Sequence, residues 1–175
     1  MVKDQVWKSI GICLLFCGLA CVLGPYSLSC VSAAVLVMMI SGFLQAPGFA
    51  FVSGLLYLVI GIFLPVLPDW NHGMTKGFGA LFGTSGGMLL ALPILAFTIA
   101  IFRRLPMKYP ALTLLLGLAA GFIVFFGFGL LWFVIKSGTV DLRAMGTAFL
   151  LYGLDAAAAF AAYPLFSRAS RRKGG

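Results

Sequence analysis

Long apolar runs, separated by short polar or proline-marked breaks, organise this chain. They cover roughly 7–23, 29–45, 49–65, 84–102, 111–135 and 144–166. A helix that crosses a bilayer needs ~20 mostly apolar residues at ~1.5 Å rise each, and every run is close to that length. The breaks carry Gly24-Pro25, Ala46-Pro47-Gly48, Pro68-Asp69 and Leu105-Pro106, residues that stop helices and start turns. The pattern predicts an all-α fold: one membrane domain over 1–175, an integral membrane bundle of six transmembrane helices. Lys3 and Lys8 ahead of an apolar stretch also fit a signal peptide. No convincing soluble domain follows it, so it reads as the first span. The longest connection, 68–79, is expected to be a loop. It leads into Gly79, Gly83 and Gly87 at i, i+4 and i+8, which on a helix would form a bare stripe open to another backbone or a ligand.

Composition turns this pattern into a class. Hydrophobic residues make up 62% of the chain and charged ones 9%, with a mean hydropathy of +1.13. A water-facing domain carries about 25% charged residues, so too little charge is present here to cover a soluble surface. The net charge of +8 does not point to nucleic acid, because Lys and Arg gather at the termini and in one loop. With six spans the termini share a side. That side holds Lys3, Lys8, Arg103, Arg104, Lys108, Arg168, Arg171, Arg172 and Lys173, against Lys76, Lys136 and Arg143 on the other. The excess of basic residues places both termini in the cytoplasm and the chain in the cell membrane as a multi-pass protein. Trp7, Tyr109 and Tyr163 then fall near the inner interface, and Tyr26, Trp70 and Trp132 near the outer one.

The chemistry is sparse, and that makes one residue conspicuous. The acids are Asp4, Asp69, Asp141 and Asp155, and no glutamate is present. Three lie at solvated ends, whereas Asp155 sits in the middle of the last apolar run. An acid at that depth costs roughly 2.5–3.5 kcal/mol on insertion scales, which marks it as a functional candidate. The plainer reading is a neutral, hydrogen-bonded acid that joins helices. Read by depth, Ser29, Asn71, Thr84, Trp132 and Tyr152 join Asp155 as residues able to line a cleft open to the exterior. The inner halves of the spans read as almost purely apolar. Cys13, Cys17 and Cys21 share one helical face, and without a CxxC pair or a histidine at ligand spacing they read as small packing residues, not metal ligands. No phosphate loop, HExxH or GxSxG is present, so the sequence offers no catalytic residues, no metal site and no cofactor motif. Two classes stay open: a small-molecule transport subunit, and a structural or assembly membrane protein with no small ligand.

Several stretches resemble the BioY family, the biotin-binding S-components of energy-coupling-factor (ECF) vitamin importers. Pro25-Tyr26-Ser27-Leu28-Ser29 is similar to its Pro-x-Ser/Thr-Leu-Gln opening of span two. The run from Gly54 through Tyr57 and Gly61 to Pro65 resembles its Leu-Leu-Tyr-Leu segment ending in Pro-Val. Leu81-Phe82-Gly83-Thr84-Ser85-Gly86-Gly87-Met88-Leu89 looks like its Gly-Pro-Thr-Gly-Gly-Tyr-Leu motif, and Gly153-Leu154-Asp155 like its Pro-Gly-Asp. The resemblance implies a vitamin ligand (biotin or a relative) and, as partners, an ECF transmembrane coupling protein and two ATPase subunits. It also implies a ligand site with Asp155 and Asn71, and with Ser29 and Met88 standing where the family has glutamine and tyrosine. The lysine expected three residues after the acid is Ala158 here. Docking to the coupling protein would use the small residues of the first span, Gly11, Cys13, Cys17, Gly18 and Cys21.

Overall fold

The computed structural model describes residues 6–7, 10–11, 27–65, 67–69, 73–83, 85–106, 109–137 and 142–171. Its helices are α1 (Ser27–Leu44), α2 (Pro47–Phe63), the short α3 (Phe78–Phe82), α4 (Gly86–Phe102), α5 (Pro110–Ser137) and α6 (Leu142–Arg171). Five of the apolar runs therefore coincide with long helices to within a few residues. The first run, with its cysteine face, lies outside the described residues except at 7, 10 and 11.

Helix boundaries follow local chemistry. Pro47 opens α2 at a position where its missing N–H would have no partner, and Pro65 follows soon after its end. The α2 cap closes when the Leu64 N–H donates to the Ile60 carbonyl at 2.9 Å. Arg103 and Arg104 follow α4, where cations suit the negative end of a helix.

The bundle is assembled around α4, which packs on α5, α2 and α1, while α6 lies chiefly against α1. Leu92, Leu95, Ala96 and Ile99 on α4 are almost completely buried. Close approach depends on small residues where the helices cross. A Cβ on Gly42 of α1 would lie 2.8 Å from the Ala96 carbonyl oxygen, and one on Gly54 of α2 would lie 2.6 Å from Pro93 Cα. Without lipid-excluding hydrophobic pressure between membrane helices, such contacts supply much of the packing. Pro93 sits inside α4 and cannot donate to the Leu89 carbonyl, and Gly54 leaves room for its ring.

The connection after α2 departs from the loop expectation. β1 (Leu67–Asp69) and β2 (Gly73–Thr75) pair antiparallel, with Leu67 opposite Thr75 and Asp69 opposite Gly73. Leu67, fully buried, covers Gly61, and the Gly77 N–H donates to the Gly61 carbonyl at 3.2 Å. Gly77 has φ +88°, which a side chain would resist. Among the described residues the bundle is helical, and this hairpin is its extended part.

Among the described residues one helical stretch, Pro110–Lys136, is long and apolar enough to cross a membrane by length and composition. The apolar stretches Ala34–Leu44, Pro47–Phe63, Gly86–Phe102 and Gly146–Ala162 are shorter. What faces outward matters as much as length. Ile123, Leu131, Ile135, Leu150 and Leu154 are each 62–70% exposed, so the outer surface is apolar where a soluble bundle would be charged.

Candidate functional site: a buried acid beside an aromatic cluster

On α6, Ala148, Tyr152, Asp155 and Ala159 are buried at spacings of four, three and four residues, the period of one helix face. Leu154, next in the chain, is 68% exposed. The acid therefore faces the bundle and not the outer surface. Asp155 is 5% exposed, and its Oδ2 atom is fully enclosed. A carboxyl in such surroundings is stable only where hydrogen bonds or a polar ligand replace water.

Tyr152, one turn earlier, is held on both its polar and its apolar side. Its hydroxyl donates to the Leu118 carbonyl of α5 at 2.8 Å. Gly121 makes that approach possible, since a Cβ there would lie 3.1 Å from the Tyr152 oxygen and 2.6 Å from Leu95 Cδ1. The ring meets Phe122 edge-on at 5.2 Å and 73°, Phe126 at 5.9 Å and 70°, and Phe125 at 5.9 Å and 31°. Such pairs add about 0.5–1.5 kcal/mol each beyond area burial. An open apolar groove of about 380 Å³ runs along this face, lined by Ala119, Phe122, Ile123, Phe149, Tyr152 and Gly153. Asp155 does not line it.

Trp132 and Met88 form a second group at the opposite end of α4. The Trp132 Nε1–H donates to the Gly83 carbonyl at 2.9 Å, and the Gly86 N–H reaches the same oxygen at 3.1 Å. Gly86 and Gly87 give the indole its room. Phe82 lies 6.3 Å from the indole, and the Lys136 ammonium 5.9 Å from its centroid. Met88 packs over Gly129, where a Cβ would lie 2.8 Å from Met88 Cγ. The expected glycine stripe is not one stripe, because α3 ends at Phe82 and α4 begins at Gly86. Nothing would meet a Cβ on Gly79, whereas Gly87 is a tight contact with Trp132.

Of the expected site residues, Met88 and Trp132 lie together at one level of α4, and Tyr152 and Asp155 lie nearer its other end. Met88 and Gly87 contact α5 near Gly129 and Trp132, whereas the Tyr152 hydroxyl lies level with Leu95 and Ile99. Seven to twelve residues along α4 separate these levels, roughly 10–18 Å at helical rise. Asn71 and Thr84 lie outside the described residues, and of Ser29 only its place in α1 is described. Ala158, where the resemblance expects lysine, is exposed on α6.

Two features escaped the sequence. The Phe122, Phe125 and Phe126 cluster sits in a run where nearly every residue is apolar, so no period singles it out. The polar residues Ser41, Gln45 and Ser53 are buried at 0%, 3% and 0%. They lie in the halves of α1 and α2 expected to be almost purely apolar; their signal was an i, i+4 polar pair in an apolar run. Among the described residues no group of three His, Cys, Asp or Glu gathers as metal ligands would.

A helical membrane bundle whose last helix buries a single acid is the class that fold and site define. The chain belongs to the BioY family, whose model matches residues 2–174. The fold is similar to the crystal structure, at 2.1 Å, of the S-component for biotin from an ECF-type ABC transporter. That likeness has a TM-score of 0.66 and 19% identity, and covers 100% of this chain and 96% of the other. A search of curated protein sequences found no match.

Proposed function

We propose that this chain is the substrate-capture subunit of an ECF-type importer. It binds biotin or a closely related molecule from outside the cell and delivers it with a separate transmembrane coupling protein and two ATPase subunits. The observation that carries this reading is Asp155, 5% exposed in the middle of α6, in a chain that matches the BioY family from residue 2 to 174. An ionised carboxylate only accepts hydrogen bonds, so it suits a ligand that presents adjacent N–H groups. The ureido ring of biotin is such a group. Each of the six apolar runs crosses the membrane, with both termini in the cytoplasm. The similar solved structure is described as a biotin S-component, which supports the same ligand class here.

Titration of biotin and dethiobiotin into purified protein and its Asp155→Asn variant tests this reading. The variant keeps the shape but turns a donor toward the ligand's N–H. Losing a charge-assisted hydrogen bond costs roughly 1.5–3 kcal/mol, so affinity falls by about 10- to 150-fold. Equal affinity in the Asn variant would return Asp155 to joining helices, without a ligand role.

A further inference from the structure

The corner between α1 and α2 holds the most deeply buried polar side chains of the bundle. Ser41 lies in the last turn of α1 and Gln45 just past its end, where the Gln45 N–H still donates to the Ser41 carbonyl at 3.0 Å. Across from them on α2, Ser53 Oγ lies 2.9 Å from Gln45 Oε1 and 2.9 Å from the Phe49 carbonyl. A hydroxyl has one proton, so Ser53 shares its proton between these acceptors and keeps lone pairs that accept. Ser41 differs from both. It is 0% exposed, and its Oγ makes no hydrogen bond among the described residues. A serine in a helix commonly donates to the carbonyl four residues back, and this one does not.

We infer that Ser41, Gln45 and Ser53 form a binding site for one buried water molecule. The donor and acceptor set fits that ligand: a hydroxyl that both donates and accepts, an amide that does the same, and a second hydroxyl with acceptor capacity. Buried waters make about three hydrogen bonds, to groups that would otherwise carry the full cost of desolvation. The glycines beside this corner mark close helix crossings. A Cβ on Gly42 would already lie 2.9 Å from Ile99 Cβ, and one on Gly54 2.6 Å from Pro93 Cα. The site has a place in the bundle as a whole. Gly42 contacts α4 at Ala96 and Ile99, and the Tyr152 hydroxyl sits near Leu95 and Ile99. The α1–α2 corner and the Tyr152–Leu118 bond therefore both lie toward the Ile99 end of α4. This inference stands apart from the transport reading and does not need a vitamin ligand.

The test is the sign of a stability change. A dry, orphaned hydroxyl would destabilise the fold, so its removal in Ser41→Ala would raise Tm, helped by the better helix propensity of alanine. A hydroxyl that holds a bridging water behaves oppositely. Thermal unfolding of the full chain in detergent is expected to show Ser41→Ala lowering Tm by roughly 2–4 °C. A density map at about 2 Å or better is expected to show a water about 2.7–3.2 Å from Ser41 Oγ and from the Gln45 side chain. An unchanged or higher Tm overturns the inference, and so does a map with no such density.

Discussion

Adding a single methyl group at Gly54 tests whether the bundle is held together where α2 crosses α4. A Cβ on Gly54 would lie 2.6 Å from Pro93 Cα and 2.9 Å from Pro93 Cβ. Carbon atoms rest at about 3.5–4.0 Å, so the new methyl falls roughly 1 Å short. Backbone and a rigid ring meet it, and neither can rotate away. The helices must separate, and a gap of 0.5–1 Å already forfeits about a quarter to a half of each contact's attraction. Overpacking of this kind costs about 1–3 kcal/mol. Alanine also favours the helix over glycine by about 1 kcal/mol, which acts in the opposite direction. A control on the same helix removes that second effect, because a Cβ on Gly48 would meet nothing within 4 Å. Gly54→Ala should therefore melt below Gly48→Ala by roughly 2–12 °C, the shift that 1–3 kcal/mol produces in a chain of this size. Differential scanning fluorimetry of both variants in one detergent makes the comparison. Equal melting temperatures would refute the close crossing and leave helix propensity as the only effect.

Other expectations follow from single bonds. Tyr152→Phe keeps the aromatic cluster but loses the donation to the Leu118 carbonyl, which should cost about 0.5–1.5 kcal/mol and be visible as a lower Tm. Trp132→Phe removes the donor to the Gly83 carbonyl, so amide exchange at Gly86 and Gly87 should quicken while exchange near Ile99 does not change. A topology reporter fused at Gly175 should be active only in its cytoplasmic sense; activity outside would overturn the inside-basic orientation.

How much could be read in the sequence depended on which kind of signal carried it. Helix existence was legible because proline and glycine punctuate the runs; Pro47 and Pro65 bracket α2. Asp155 was legible because a lone acid in an apolar run is costly wherever the helix turns. Which face of each helix looks inward was not legible. In a soluble helix polar residues mark the outer face, but here Leu154 at 68% exposure and Leu95 at 0% are the same letter. The hairpin was hidden for a different reason, since its strands have three residues each and are fixed by Leu67 seating on Gly61, a tertiary contact.

The same loss of face information hides how the spans line up with one another. Depth along each span is readable from residue counts, but the register between spans is set by contacts such as Gly121 against Leu95 and Gly129 against Met88. Glycine is frequent throughout the chain, so its letters do not say which positions meet a neighbour and which, like Gly127, meet nothing. Ser41 and Gln45 show how far the polar letters could lead. Their spacing told that they share a face, but only the crossing of α1 and α2 makes that face an interior one. A polar pair on a membrane helix has value to the fold only if a second helix or a bound molecule completes its hydrogen bonds. Ser53 supplies the second helix, at 2.9 Å from Gln45 Oε1. The remaining hydroxyl of Ser41 is where the demand for a partner is still legible in the structure, and it is the kind of demand that sequence patterns cannot express.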